Sequence, residues 1–201
     1  CERAGEAWRV GAVPSPDRKG PQRAGPFREA FRNRAVLVYG TQGTPEENAW
    51  ALAKARYDAE VFLVRGNGAF EVMADRTFLA APPAPERNLV LYGHAGMHGA
   101  WAACAGRAPI QVGRGTVRIG ERTITGDDCA VCFITPRPGS PSACVGVVAG
   151  TGLPGLRLTD RMPWFASGVG MPDWCVVGTE CLAVAGKGIR AAGYFGDDWT
   201  L

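Results

Sequence analysis

The chain has 201 residues, 46% of them apolar, and a net charge of +3 from 22 basic and 19 acidic side chains. That length carries one domain with a substantial core. The weak, scattered positive balance speaks against a nucleic-acid footprint, and no apolar run reaches the length a membrane helix needs.

Residues 1–26 read as a Pro/Gly-rich linker or lead-in, with Trp8 and Val10 in one extended piece. Residues 27–201 read as a single α/β domain. A start at Cys1 predicts a fragment of a longer chain or a processed form. Phe27–Phe31 is a short amphipathic approach to the first strand. Ala35–Tyr39 is a continuous apolar run, too short for a helix, and predicts a strand covered on both sides. Gly40-Thr41-Gln42-Gly43 ends it. Thr44, Pro45 and Glu47 then form a helix start: a cap, a proline at the first helical position and a capping box. The predicted buried stripe of this helix is Trp50, Ala53, Tyr57 and Val61, with Lys54, Arg56, Asp58 and Glu60 facing elsewhere. Gly66 is its expected end.

Ala69–Met73 predicts a second strand, and Leu89–Tyr92 repeats the design of a buried strand followed by glycine. Met97–Ala105 predicts a short helix. From Ile110 to Thr125 the pattern alternates and is broken by Gly113, Gly115 and Gly120, which predicts one or two β-hairpins. Ala130–Thr135, Ala143–Ala149 and Cys175–Val177 are further buried strands, and the aromatic tail GYFGDDWTL is expected to dock on the body. The predicted fold is a largely parallel, Rossmann-like or flavodoxin-like sheet, with helices on both faces and a hairpin insertion.

Four apolar runs end in YGT, YGH, AGT and VGT. In an open α/β sheet, ligands sit outside the carboxyl ends of the strands. If the runs are parallel, a crevice there is lined by Thr41, Gln42, Gly43, Thr44, His94, Thr151 and Thr179. Its hydroxyls and amides suit a sugar, carboxylate or phosphate, and the capped helix start adds free N–H groups. GTQGT is neither a dinucleotide fingerprint nor a phosphate loop.

Other motifs are weaker. No GxSxG elbow occurs. His94 and His98 are four apart, which on a helix puts both on one face, but there is no HExxH. The bland alternative makes His94 a loop residue and His98 a solvated residue of the first turn. Asp127-Asp128 could supply carboxylates for acid/base work, but following Gly126 before a strand the pair reads as a turn. The seven cysteines are odd in number, and Cys129, Cys132, Cys144 and Cys175 lie in apolar runs, as small hydrophobes do. Cys129 and Cys132 have CxxC spacing without a second pair at zinc-ribbon distance. Met162–Phe165 and Met171–Trp174 read as core anchors or a recognition surface. No metal or cofactor is expected.

The string KGPxRxGPFREAFRNRxVxVYGTxGTPEENAWALAKARYDAE, with RGNG at 65–68, RNLVLYG at 87–93, VGVVAGTG at 145–152 and PWFASGVGMPD at 163–173, resembles a known group. It is similar to the C-terminal region of bacterial, planctomycete-type proteins classed as prolyl oligopeptidase-like serine peptidases. His94 and His98 depart from it, standing where that group carries asparagine-type residues. The resemblance implies an upstream α/β-hydrolase domain in the same chain, an extracytoplasmic location and an accessory role here, with no catalytic residue carried over. The alternative is a stand-alone hydrolase or a sugar- or phosphate-binding enzyme working through the crevice.

Overall fold

The computed structural model describes residues 2–5, 7–9, 15 and 17–201. Cys1 and Val10 lie outside the described residues. Trp8 falls in a small antiparallel hairpin, β1 (Glu2–Ala4) with β2 (Ala7–Arg9).

The body is a mixed α/β fold built on a seven-stranded sheet. In chain order its strands are β3 (Val36–Tyr39), β4 (Glu71–Ala74), β5 (Leu89–Tyr92), β9 (Ala130–Pro136), β10 (Cys144–Gly150), β11 (Trp174–Val177) and β12 (Ile189–Gly193). Across the sheet the order is β12-β11-β9-β10-β5-β3-β4. Parallel pairing joins β4, β3, β5 and β10. Antiparallel pairing joins β10 to β9, β9 to β11 and β11 to β12. The expected parallel sheet is therefore parallel only in this block. The block starts in the 2-1-3 order of a flavodoxin-like sheet, and the reversed β9 interrupts it. The cause is the connection 137–143, which is too short for the crossover that a parallel partner requires.

Three further strands, β6 (Ile110–Gly113), β7 (Thr116–Ile119) and β8 (Arg122–Thr125), form a separate antiparallel sheet. This is the expected insertion, realised as two hairpins. Ile110, Val112, Val117 and Ile119 alternate inward and join the core.

Helix α1 (Pro45–Gly66) has the predicted start: Thr44 accepts from the Glu47 amide, and Glu47 accepts from the Thr44 amide. Asn67 in the left-handed conformation closes it. The buried stripe differs from the predicted one. It consists of Glu47, Trp50, Ala51, Lys54, Ala55 and Asp58, while Tyr57 is exposed. Lys54 and Asp58 are buried as an ion pair at 2.9 Å, and Asp58 also accepts from the Tyr92 hydroxyl at 2.9 Å. The Lys54 ammonium lies 4.6 Å from the Trp164 ring. A search for apolar periodicity cannot see a stripe built from a satisfied ion pair.

The shorter helices are α2 (Asp75–Ala80), α3 (Trp101–Cys104) and α4 (Leu153–Leu158). Phe27–Phe31 is a 3-10 turn. Its Phe27 and Phe31 pack with Trp164 and Phe165, so the aromatic half of the first Met-Pro run belongs to the core. Residues 18–23 lie against distant parts of the body. Arg18 pairs with Asp197 at 2.7 Å, Lys19 bonds the carboxylate of Asp173 and the carbonyl of Phe195, and Arg23 bonds the Ser140 carbonyl. Phe195 and Trp199 are buried, so the aromatic tail docks as expected.

Candidate functional site

Strands β3, β5, β10 and β11 all run in one direction, so the turns that follow them reach the same edge of the sheet. Strand β9 runs the other way and brings Asp127 and Asp128 to that edge from its start. The topology thus puts all the predicted turn residues along one border. What they do there is set by their hydrogen bonds.

At the β3 end, the Thr41 hydroxyl donates to Asp75 at 2.6 Å, and Asp75 also accepts from the Gly99 amide at 2.6 Å. Burial pushes the Asp75 carboxyl up, but the Thr41 and Gly99 donors outweigh it and leave its pKa lowered. The Gln42 amide donates to the Met97 carbonyl, while its side chain is exposed. The Gly43 amide donates to the Asn48 side chain at 2.9 Å. Gly40 is required here, because a Cβ would sit 2.4 Å from the Met97 carbonyl oxygen.

At the β5 end, His94 is buried. Its Nδ1 accepts from the Gly96 amide at 3.1 Å, which leaves Nε2 to donate to Glu47 Oε1 at 3.3 Å. His98 is buried in the same manner, with Nδ1 accepting from the Ala100 amide and Nε2 donating to the Val38 carbonyl at 3.1 Å. It is therefore no solvated first-turn residue. Burial lowers the pKa of both imidazoles, so both are neutral at pH 7. Every ring nitrogen of the two histidines is engaged inside the fold. Among the described residues, no group of three His, Cys, Asp or Glu is placed to hold a metal ion.

Glu47 is the charged centre of this edge. Arg114 grips it with two hydrogen bonds, at 3.1 and 2.6 Å, while the Thr44 amide and His94 supply others. The guanidinium is the main cause that holds the carboxyl down at about 2; burial opposes it. Arg114 comes from the turn between β6 and β7, and this turn lies over the strand ends. The Ala95 amide bonds the Val112 carbonyl, and the Gly115 amide bonds the Thr151 carbonyl at 2.7 Å.

At the β10 end, the Thr151 hydroxyl accepts from the Cys129 amide and is buried. At the β11 end, the Thr179 hydroxyl donates to Asp128 at 2.8 Å, and Arg190 reaches the same carboxylate at 2.7 Å. Burial raises Asp128, but these donors prevail and hold it below the usual carboxylate range. The three acids and two arginines of this border carried no sequence signal as a set; Glu47 was visible as a capping residue and Asp128 within an acidic pair, but Asp75, Arg114 and Arg190 were not.

A second feature lies elsewhere. A groove of about 800 Å³ is lined by Met162, Pro163, Met171, Cys175, Val177 and Ile189, with Arg161, Cys181 and Leu182 also on its wall. Its floor is the outer part of the sheet, where β12 is the end strand. Beside it, Leu182, Val184, Ile189 and Tyr194 are each half or more exposed. The second Met-Pro run contributes Met171 and Pro172 here, so this run does face a surface. No protein-family model and no curated protein matches the sequence.

Proposed function

We propose that this chain is a non-catalytic accessory module that packs on an α/β-hydrolase domain of the prolyl oligopeptidase-like type, in the same polypeptide and outside the cytoplasm. The observation that carries the reading is the apolar β12 edge with its groove. Large aliphatic side chains clustered on a surface mark a place where another protein surface belongs. The rest of the sheet is better covered. Asp58 of α1 reaches Tyr92, and Trp101 of α3 packs edge-on against Phe133. By register, Tyr92 and Phe133 point to opposite sides of the sheet, which supports helical cover on both faces. The β12 edge combines exposed aliphatic side chains with a groove, which suits it to a partner domain. No helix among the described residues is long and apolar enough to cross a membrane, and nucleic acid has no part in this reading.

The internal engagement of both histidines supports the non-catalytic half of the proposal. A serine nucleophile needs a base within reach that is free to accept its proton. The sugar- or phosphate-binding alternative at Thr41, Thr151 and Thr179 has less support, because each hydroxyl already serves a buried or half-buried partner. The test uses the chain and the separately produced hydrolase domain. Titration calorimetry is expected to show binding that Ile189→Glu and Leu182→Glu abolish; both sites are exposed, so the variants keep the fold. A fluorophosphonate probe is expected to label the hydrolase domain alone. Labelling of the isolated chain, or no binding by the unmodified pair, overturns the proposal.

A further inference from the structure

Cys132 on β9 and Cys175 on β11 are direct register partners across an antiparallel pair. Their sulfurs are 3.4 Å apart. The Ile134 amide bonds the Asp173 carbonyl, so by alternation the Cys132–Cys175 pair is also hydrogen-bonded. Such pairs place their Cα atoms about 5.5 Å apart, inside the range of roughly 4.4–6.8 Å that a disulfide spans. A bond of about 2.05 Å needs the sulfurs to close by little more than 1 Å.

The two thiols differ in access. Both are buried, but Cys132 has no exposed surface, whereas Cys175 keeps 6% and lines the groove described above. We propose that, while no partner domain covers the groove, Cys132 and Cys175 form a redox-active dithiol that a low-molecular-weight disulfide of the glutathione type, entering by the groove, converts into a cross-strand disulfide. Cys175 is the entry thiol. As thiolate it attacks one sulfur of oxidised glutathione, whose S–S bond breaks and releases one glutathione, protonated to the thiol. Cys132 then gives up its proton and attacks the Cys175 sulfur of the mixed disulfide. The second glutathione leaves as a thiol. Two protein thiols are oxidised, and one oxidised glutathione is reduced to two glutathiones. Burial holds Cys132 as the thiol, which makes the second step the slow one.

The groove also carries Cys181, half-buried and free, as a competing thiol. The experiment therefore uses the full chain with Cys181→Ser, treated with oxidised glutathione and followed by intact mass and peptide mapping. The expected result is a loss of two hydrogens, reversed by a phosphine reductant, with a peptide from β9 joined to one from β11. Cys132→Ser in this background is expected to stop at one glutathione adduct on Cys175. Cys175→Ser is expected to take up none at Cys132. A second reading needs no substitution at the pair: in the native chain, a small alkylating agent is expected to modify Cys175 before Cys132. The proposal falls if the Cys181→Ser chain neither loses two hydrogens nor gains an adduct. It also falls if Cys132 is modified first.

Discussion

Replacing Glu47 by glutamine tests the charged centre of the strand-end border. Glutamine at the third helical position keeps the capping-box acceptor, so the helix start survives. What is lost is the charge that Arg114 and His94 face. The Glu47 carboxyl lies at about 2 against an ordinary 4.5. At about 1.4 kcal/mol per unit, that difference corresponds to roughly 3 kcal/mol of native-state stabilisation. The Arg114 side chain is 54% exposed, and solvent screening brings the expected loss down to about 2 kcal/mol at pH 7. The sign follows from the lowered native pKa. The stabilisation is present above 4.5 and is lost as pH falls toward 2, with most of it gone by pH 3. Urea unfolding of both proteins at a series of pH values from 7 to 3 measures this. The gap in midpoint is expected to narrow steadily on acidification with an unchanged m-value. Adding Arg114→Met completes a double-mutant cycle with an expected coupling above about 1 kcal/mol. A pH-independent gap, or additive effects of the two substitutions, would refute the reasoning.

Lys54→Met leaves the Asp58 carboxylate buried without its cation, and a loss of roughly 3–5 kcal/mol is expected at pH 7. Burial raises the native pKa of Asp58, so the cost sets in only as pH rises above that raised value; Lys54→Met with Asp58→Asn should recover much of it in thermal melts. Gly155→Ala puts a Cβ 2.2 Å from the Cys129 carbonyl oxygen, and a loss of about 2 kcal/mol is expected despite alanine's better helix propensity. Both histidines have lowered native pKa values, so a first acid-induced loss of stability is expected as pH falls below 6.5, before the Glu47 loss sets in; His98→Asn should shrink it in the same pH series. Oxidation of Cys132 and Cys175 closes a loop with a sequence separation of 43, and calorimetry should find the oxidised protein more stable by about 2–4 kcal/mol.

The parts of the fold that were legible are those whose cause is local. The runs at 36–39, 89–92, 130–136 and 144–150 are continuous apolar stretches, and each became a strand. Thr44 and Glu47 set the start of α1 through bonds between near neighbours. Direction was less visible, since Ala130–Thr135 reads like any buried parallel strand. The clue lay in the brevity of 137–143, a distance rather than a composition. β12 went unseen because Ile-Arg-Ala-Ala-Gly at a sheet end has neither a continuous apolar run nor strict alternation. At the strand-end border, Thr41, His94, Thr151 and Thr179 follow β3, β5, β10 and β11, but sequence could not foresee their partners. Asp75, Arg114 and Asp128 come from distant segments, and only folding introduces them to those groups.

The anchoring of residues 18–23 has a bearing on how the protein is made. Arg18 and Asp197 meet across a sequence separation of 179. Lys19 waits for Asp173 and Phe195, and Arg23 for Ser140. None of these bonds can form until a partner 117 to 179 residues further along the chain has been synthesised. The parallel block β3, β4 and β5 can assemble early, but the seam that residues 18–23 form has to wait for Ser140, Asp173, Phe195 and Asp197. Contacts of such range are slow to find, since a long loop must close before any of them is rewarded. Until then Lys19 is missing from its place beside the Phe195 and Trp199 rings, which the folded protein buries.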